Sequence, residues 1–212
     1  ALDLIRARCE RFGIDCEWQD GYLGLATSER KGRDLQAWAE RMASHYDYPM
    51  RWIAPGDIQQ WIASPRFHAG VHDPRSGHLH PLKYCLGLAR AAHSLGVRIY
   101  EHSPVTRMQQ GQTVELGCAE GSVRAKQVLL AGNVYLQEYA PDLAEKLAPR
   151  IMPVGTYIVC SEPMDKARVD ALIPSRSAVC DTNFVLDYFR PTADQRLLYG
   201  GRVSYSTVTP RS

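Results

Sequence analysis

The sequence lacks most of the motifs that assign a chemistry directly. It contains no Walker A motif, no GxSxG motif and no GxGxxG motif. The nearest glycine pair, Gly21 and Gly24, lies in a segment with the pattern of strands, whereas the dinucleotide-binding motif opens a helix. These absences argue against a P-loop enzyme, against a serine hydrolase of the GxSxG type, and against a dinucleotide bound in the usual way by this chain alone.

Paired cysteines are also missing, although the chain has six cysteines. None of them forms a CxxC pair, and most lie within apolar or periodic segments. A disulfide framework is typical of short secreted chains, and zinc sites need clustered ligands. The pattern therefore predicts reduced, mostly buried thiols in a cytoplasmic protein.

Strong charge and long apolar runs are absent too. The formal net charge of +2 gives no argument for a nucleic acid or an anionic membrane as partner. The longest apolar candidate, QVLLAGNVYL, is much shorter than the roughly 20 residues of a membrane helix.

The first residues form no signal peptide but have the pattern of an amphipathic helix. Because this helix begins without a cap or an initiator methionine, we expect the chain to be an internal piece of a longer protein.

Helical periodicity of the apolar residues predicts several helices. The first ends at Gly13, and another begins near Pro81, a residue suited to the first helical turn, and ends at Gly96. The remaining helical segments are 33–46, the short segment APGDIQQWI and MDKARVDAL.

Strand patterns fill most of the remaining sequence. DCEWQDGYLGLAT predicts a β-hairpin that turns at Asp20-Gly21. FHAGVHD and VRIYE predict single strands, the segments between 104 and 126 a small meander, and QVLLAGN an apolar strand that ends in a Gly-Asn turn. From residue 151 onward, β-rich runs separated by Pro and Gly predict a mostly antiparallel sheet.

Two histidines, His78 and His80 in GHLHP, suggest either a metal site or the entrance of a helix. Their spacing places both on one face of a strand, but no third ligand is evident beyond the nearby His68, His72 and Asp73. A glycine turn followed by Pro81 suits a helix entrance without any metal. The helix entrance is therefore the favoured interpretation.

Two further groups of residues are candidates for binding. VLLAGN, residues 128–133, is an apolar strand whose small terminal residues allow a phosphate or a ring to approach the backbone; the alternative is an ordinary turn. Tyr188, Arg190 and Arg202 lie on or beside strands. They are candidates to line a substrate pocket, because arginine recognises carboxylates; the alternative is that they face solvent.

The order of these segments resembles the D-amino-acid oxidase (DAO) superfamily of FAD-dependent oxidoreductases, and within it the branch of gamma-glutamylputrescine oxidoreductase-like amine oxidases. The likeness runs along nearly the whole chain, and its motifs are specific in combination. It is carried by GHLHPLKYCLGLARAAHSLGVRIYEHSPVTRM, VLLAGNVY, IMPVGTYIVCSEP and NFVLDYFRPTADQRLLYGGRVSYS.

This resemblance implies a fold of mixed α/β and α+β class. A partial FAD/NAD(P)-binding-type (Rossmann-like) domain would be the middle part, 74–150, and an antiparallel-sheet substrate domain would be formed by 1–73 and 151–212. The cofactor implied is FAD. The implied reaction is oxidation of the C–N bond of an amine or amino acid, a small-molecule substrate, by hydride transfer to the flavin.

The resemblance also implies roles for individual residues. Main-chain groups at Val105 would meet the adenine end of FAD, and the turn at Ala131, Gly132 and Asn133 would lie near its diphosphate and ribityl region. Tyr188 would face the flavin ring from a substrate-domain strand. Gly200 and Gly201 would contact the cofactor from the next strand, with Arg202 following them. Tyr188 and Arg202 are the residues that we expect to contact the substrate in catalysis.

Two departures from the family pattern matter. The N-terminal GxGxxG unit is absent, and so is the glycine-rich segment expected near the C-terminus. We therefore expect the isolated chain to bind FAD poorly and to be inactive, and to self-associate through an exposed sheet. The alternatives that stay open are a small non-enzymatic module that binds a ligand or partner, and a purely structural domain.

Overall fold

The computed structural model describes residues 1–136, 150–152 and 154–204. The chain divides into two compact units. Unit 1 consists of Ala1–Gly96 and Thr156–Val203, and unit 2 consists of Val97–Gly155 and Ser204–Ser212. Helices and strands occur together, with a large mixed sheet and a small antiparallel sheet, so the predicted mixed α/β class is confirmed.

The large sheet has seven strands in the order β2-β3-β1-β8-β9-β10-β7. β1 pairs in parallel with β8, whereas the pairs β1–β3, β2–β3, β8–β9 and β9–β10 are antiparallel. This largely antiparallel character was predicted for the second half of the sequence. The strands are β1 Gln19–Ala26, β2 Arg51–Ile53, β3 Ala69–His78, β7 Gly155–Cys160, β8 Ala178–Asp181, β9 Tyr188–Pro191 and β10 Leu197–Ser204.

The small sheet belongs to unit 2 and confirms the predicted meander. It has the order β4-β5-β6, and both of its pairings are antiparallel. Its strands are β4 Arg107–Gln109, β5 Val114–Cys118 and β6 Gly121–Ala125.

The helices begin and end at the signals in the sequence. α1, Leu2–Phe12, ends at Gly13, whose left-handed φ of 61° suits glycine. α2, Glu29–Tyr46, begins a turn earlier than predicted because the Ser28 side chain accepts a hydrogen bond from the Lys31 amide. α3, Pro81–Ser94, has the predicted proline in its first turn. α4, Lys166–Leu172, lies in the predicted MDKARVDAL segment, and a 3-10 turn spans Ile58–Gln60.

The core of unit 1 covers one face of the large sheet. Alternate residues of β1 and β8 point into it, among them Leu23, Leu25 and Val179. Apolar residues from the segments around the 3-10 turn and α4 pack against these strands. The other buried members are Ile53, Ile58, Ile62, Phe67 and Ile173.

The predicted hairpin at Asp20-Gly21 is wrong. β1 runs through this dipeptide as one strand, with an irregular register between Asp20 and Tyr22, and Gly21 has φ +105°. The glycine therefore occupies a bulge instead of a turn. A Cβ at Gly21 would lie 2.1 Å from Ser177 Oγ, so a close approach also requires glycine there.

Two predicted strands of unit 2 are not strands. The segments 97–100 and 128–131 have no regular secondary structure, and a 3-10 turn follows the second at Asn133–Tyr135. Neither segment belongs to either sheet within the described ranges. An apolar, β-branched pattern indicates that a segment could form a buried strand. A strand also needs hydrogen bonds to a neighbouring strand, and the pattern does not say whether such a neighbour exists.

The thiols are less buried than predicted. Cys16 is buried, whereas Cys85 and Cys160 are exposed and the others are intermediate. Cys160 lies on the edge strand β7, and Cys85 lies on the outer side of α3, so an apolar context in the sequence did not imply burial. No helix within the described residues has the length and apolarity needed to cross a membrane.

We expect Gly87→Ala to destabilise the chain. A Cβ at this position of α3 would lie 2.2 Å from Ile14 Cγ2. Overpacking costs about 1–3 kcal/mol, which outweighs the roughly 1 kcal/mol by which alanine favours a helix over glycine. Urea unfolding should show a lower free energy of unfolding, with Gly56→Ala as control because that Cβ would meet no atom within 4 Å. A Gly87→Ala variant more stable than the wild type would contradict this packing.

Candidate functional site

The second face of the large sheet carries an apolar cavity within unit 1. Its volume is about 440 Å³. The β-ladder brings the lining residues side by side, because Cys180 is paired with Tyr188, Tyr188 with Gly200, and Arg190 with Leu198. Residues two apart on a strand share a face, so Cys180, Tyr188 and Arg190 belong to the cavity face, whereas Val179 belongs to the core on the other face. The other lining residues are Tyr22, Pro81, Ile158, Ala178, Val179, Leu186 and Phe189.

Tyr188 and Gly200, two of the predicted site residues, meet in this cavity. A Cβ at Gly200 would lie 2.1 Å from Tyr188 Cε2 and 2.3 Å from Cζ. The tyrosine ring therefore lies directly over the backbone of β10, and only glycine permits that contact. The result is a half-buried aromatic ring held flat on the sheet, which is suited to contact with a ligand.

Gly201 and Arg202 do not line this cavity. Gly201 is buried, and a Cβ there would lie 2.7 Å from Asp187 Oδ1. Arg202 is exposed and has a left-handed φ of 62°, so the regular alternation of β10 is interrupted beside it. The predicted roles of these two residues stay predictions.

Arg190 lies at the border between the apolar cavity and a polar trough of about 450 Å³. The charged residues that line this trough besides Arg190 are Glu17, Lys83, Asp194 and Arg196. Its Nη1 donates to His78 Nδ1 at 3.3 Å. His78 Nε2 is 2.9 Å from the carbonyl oxygen of Arg176. Because a guanidinium only donates and a carbonyl only accepts, His78 is the neutral tautomer with its proton on Nε2. Arg190 was one of several polar candidates in the sequence; its place two residues after Tyr188 was the signal that it shares the same face.

Two cavity residues had no signal in the sequence. The phenol of Tyr22 and the thiol of Cys180 both line the cavity, from neighbouring strands. Burial is the main cause that raises the pKa of each group above its ordinary value. Both side chains are therefore neutral near pH 7. A long-range parallel pairing brings them together, and short sequence patterns do not report such pairings.

A cluster of charged residues fixes the loop between β8 and β9, which borders the cavity. The buried Asp181 carboxylate accepts from the amides of Asn183 and Asp187, at 3.0 Å and 3.2 Å. Arg66 forms ion pairs with Asp181 at 3.2 Å and with Asp187 at 2.7 Å. Leu186 in the same loop lines the cavity. These contacts give the loop a defined position beside Tyr188.

Unit 2 carries a second cavity, of about 280 Å³, which brings together three of the predicted cofactor-binding residues. Val105, Ala131 and Gly132 line it together with apolar side chains. Asn133 follows with a left-handed φ of 53°, and its Oδ1 accepts from the Val134 amide at 2.8 Å. The other lining residues are Pro104, Leu116, Val128, Leu129, Leu130, Tyr135 and Leu136.

The histidine pair lies at a helix entrance, as predicted. His78 is the last residue of β3, and His80 is the N-cap of α3, where its Nδ1 accepts from the Lys83 amide at 3.4 Å. Nowhere in the described ranges do three or more His, Cys, Asp or Glu side chains come together as a metal ion would need.

We expect His78 to remain neutral below its ordinary titration range. Burial is the main cause that lowers its pKa. The hydrogen bond to the Arg176 carbonyl opposes this shift, and the positive charges of Arg190 and Arg176 lower the pKa further. Above the ordinary histidine pKa of about 6.5, His78 is neutral in both the folded and the unfolded chain, and the free energy of unfolding has its full value with respect to this group. The free energy of unfolding decreases as the pH falls below that value, because the unfolded chain takes up the proton more readily.

Nitrogen-resolved NMR of the imidazole rings measures the tautomer and the pKa of His78 directly. The spectrum at pH 7 should show a neutral ring protonated at Nε2, and the midpoint for His78 should lie below 6.5. The exposed His93 provides a reference resonance in the same sample. A protonated His78 at pH 7 would contradict the hydrogen-bond assignment.

Comparison with known proteins assigns the family. The family model described as "FAD dependent oxidoreductase" (DAO) matches residues 1–212. A probable oxidoreductase OrdL of Haemophilus influenzae is 38% identical over 201 residues, which are 94% of this chain and 47% of that protein. The gamma-glutamylputrescine oxidoreductase of Escherichia coli is 36% identical over 208 residues, which are 98% of this chain and 48% of that protein.

Solved structures show the same fold. The L-proline dehydrogenase from P. horikoshii superposes with a TM-score of 0.77 at 17% identity, covering 99% of this chain and 56% of that one. The chain spans about half the length of the curated relatives that it matches. Since the family model matches along its whole length, the chain belongs to the DAO family of FAD-dependent oxidoreductases.

Proposed function

We propose that the protein containing this chain oxidises the C–N bond of an amine or amino acid, with FAD as the electron acceptor. The observation that supports this most is the apolar cavity on the open sheet face, where the Tyr188 ring lies over Gly200. In an FAD-dependent family, such a face is suited to hold a small organic substrate against a planar ring. The named relatives act on gamma-glutamylputrescine and L-proline, so an amine or amino acid is the natural class.

The residues of unit 2 fit the nucleotide part of FAD. The unit-2 cavity has apolar walls for an adenine ring, and Ala131 and Gly132 are exposed at its rim, where their backbone is accessible to a diphosphate. Val105, Ala131, Gly132 and Asn133 are the residues that we assign to holding it. In this proposal 74–150 is the middle part of the FAD-binding domain, and 1–73 with 151–212 form the substrate domain.

When bound, FAD would supply the acceptor for the hydride that leaves the carbon beside the substrate nitrogen. The chain's own residues orient the substrate and exclude water. Tyr22 and Cys180 are neutral near pH 7, and the remaining walls are mostly apolar. Because burial of an unpaired ammonium is costly, these walls favour the neutral amine. A neutral amine carries the lone pair that assists hydride departure, so no strong general base is required.

Substrate, location and assembly follow as narrower parts of the proposal. Gamma-glutamylputrescine-like amines are candidate substrates because of the relative that acts on this compound. A cytoplasmic location accords with six unbridged cysteines. Self-association is supported by the apolar edge strand β7, where Tyr157, Ile158 and Val159 are exposed.

We expect Tyr188→Phe and Gly200→Ala to impair amine oxidation in the flavin-loaded protein. We propose that the Tyr188 hydroxyl makes one hydrogen bond to the substrate, worth about 1 kcal/mol, so its loss should raise KM roughly fivefold. Gly200→Ala should act more strongly, because the new Cβ displaces the ring that lies 2.1 Å away.

Steady-state kinetics with gamma-glutamylputrescine and L-proline measure both effects. Tyr157→Phe is the matched control, because Tyr157 is exposed and precedes Ile158, the cavity residue of β7. Unchanged kinetics in both variants would exclude this cavity as the substrate site.

We also propose that the 212-residue chain alone binds FAD weakly or not at all and has no oxidase activity. It contains no GxGxxG motif, which usually binds the diphosphate of FAD, and it spans about half the length of its relatives. Visible absorbance of the purified chain after incubation with FAD and gel filtration is the measurement. A stoichiometric flavin spectrum would overturn the proposal.

A further inference from the structure

Two of the six cysteines meet at the end of α1. The Sγ atoms of Cys9 and Cys16 are 3.5 Å apart, within hydrogen-bonding distance for two thiols. The left-handed turn at Gly13 reverses the chain between them, and the Ile14 amide donates to the Cys9 carbonyl oxygen at 2.9 Å. The main chain of this turn therefore holds the two sulfur atoms in contact.

The two thiols differ in their access to solvent. Cys16 is buried, with 2% of its surface exposed, whereas Cys9 is half-buried. Burial, and then the hydrogen bond with Cys9, raise the pKa of Cys16 to about 11, so this thiol is protonated at neutral pH. Thiol–disulfide exchange needs an accessible sulfur for its first step and a second sulfur in contact with the first. Cys9 supplies the accessible sulfur, and Cys16 supplies the second.

A metal site does not explain this contact between two thiols. Two thiolates hold a zinc ion only together with further ligands. Among the residues that the structure describes, no group of three or more His, Cys, Asp or Glu side chains is arranged to hold a metal ion. Other thiols of the chain show the more usual arrangement, because Cys118 and Cys180 donate to carbonyl oxygens. The contact between Cys9 and Cys16 therefore favours chemistry between the two sulfur atoms.

We infer that Cys9 and Cys16 are a reversible redox pair, which a small-molecule disulfide such as glutathione disulfide converts to a protein disulfide. Cys9 loses its proton to water, and its thiolate attacks one sulfur of glutathione disulfide. The products are a mixed disulfide on Cys9 and a glutathione thiolate, which takes up a proton. Cys16 then loses its proton, its sulfur attacks the Cys9 sulfur, and the second glutathione leaves as a thiolate that is protonated in turn. The two protein thiols lose two electrons, and glutathione disulfide gains them.

The fold around the pair accommodates the new bond. A disulfide requires the two sulfurs to approach to about 2.0 Å, a movement of about 1.5 Å from their separation of 3.5 Å. α1 contains no fully buried residue, so its last turn can shift by this amount without disrupting a packed core. Cys16 is the fixed partner, because its carbonyl oxygen accepts from the His80 amide at 2.8 Å.

The disulfide attaches α1 to a segment that is itself attached to α3. His80, which donates to Cys16, is the N-cap of α3, and Glu17 forms an ion pair with Lys83 in the first turn of that helix. A covalent bond between Cys9 and Cys16 therefore opposes the detachment of α1 from the rest of unit 1. The pair holds α1 in place when the surrounding thiol pool becomes oxidised.

Peptide mapping by mass spectrometry tests the inference in the flavin-loaded protein expressed from its complete gene. The protein is incubated with glutathione disulfide, and the remaining free thiols are blocked with N-ethylmaleimide in denaturant before digestion. The wild type should give peptides joined by a disulfide between Cys9 and Cys16, and dithiothreitol should restore both thiols. Two unmodified thiols, or glutathione retained on Cys9 in the wild type, would overturn the inference.

Single substitutions separate the two steps of the exchange. Cys16→Ala removes the second thiol without burying a new hydroxyl, so glutathione should remain on Cys9. Cys9→Ser leaves Cys16 buried, and Cys16 should then stay unmodified. The matched control is Cys85→Ser at an exposed thiol of α3, which should leave the disulfide between Cys9 and Cys16 intact. If Cys16 reacts in a Cys9→Ser variant whose circular dichroism spectrum matches the wild type, Cys9 is not the first nucleophile and the inferred exchange is wrong.

Hydrogen exchange measures the consequence for α1. In the oxidised wild type, the hydrogen-bonded amides of α1 should exchange at least about tenfold more slowly than in the reduced protein, because the closed ring restricts the detached state. Exchange in α2 should be the same in both forms. Cys16→Ala, treated with glutathione disulfide in the same way, should show no slower exchange in α1. Equal exchange of α1 in the oxidised and reduced wild type would overturn the role of the pair in holding this helix.

Discussion

The parallel pairing of β1 with β8 is the contact on which the rest of unit 1 depends. It joins strands that are far apart in the sequence, with Leu23 opposite Val179 and Leu25 opposite Asp181. The pleat then sends Leu23, Leu25 and Val179 to one face, where they are buried in the core. Full burial of such side chains contributes roughly 1.5–3 kcal/mol each. A shift of this register by one residue would exchange the core face for the cavity face.

The same register builds the candidate site on the opposite face. Tyr22 is paired with Ala178, Cys180 with Tyr188, and Tyr188 with Gly200, so that the cavity is lined across neighbouring strands. Two polar arrangements hold its borders. The Arg66 ion pairs with Asp181 and Asp187 fix the loop between β8 and β9. At the other border, neutral His78 positions the guanidinium of Arg190. The chemistry of the site is therefore mostly neutral and apolar, with one positive charge at its edge.

Local signals predicted the helices better than the strands. Gly13 and Pro81 mark helix ends because their backbone preferences act within one turn, and both positions were correct. The Asp20-Gly21 dipeptide has an equally strong local preference for a hairpin, yet β3 and β8 pair with β1 on either side and extend it as one strand. Tertiary pairing overrode the local preference, and the glycine was used for a bulge against Ser177. In unit 2, the apolar segments at 97–100 and 128–131 had the composition of strands without a pairing partner among the described residues.

Composition, spacing and motif order along the chain were enough to predict the family, the mixed fold class and most helix boundaries. The functional roles of Tyr188 and Gly200, inferred from the same patterns, stay predictions. The folded chain was needed to show that Tyr188 lies on the backbone of Gly200, that Tyr22 and Cys180 line one cavity, and that Arg190 has no carboxylate partner within 4.0 Å among the described residues. Those facts depend on which strands become neighbours and in which register. Strand pairing is a long-range contact between segments whose local patterns are compatible with several partners, so the charge balance of the site becomes visible only when the strands are side by side.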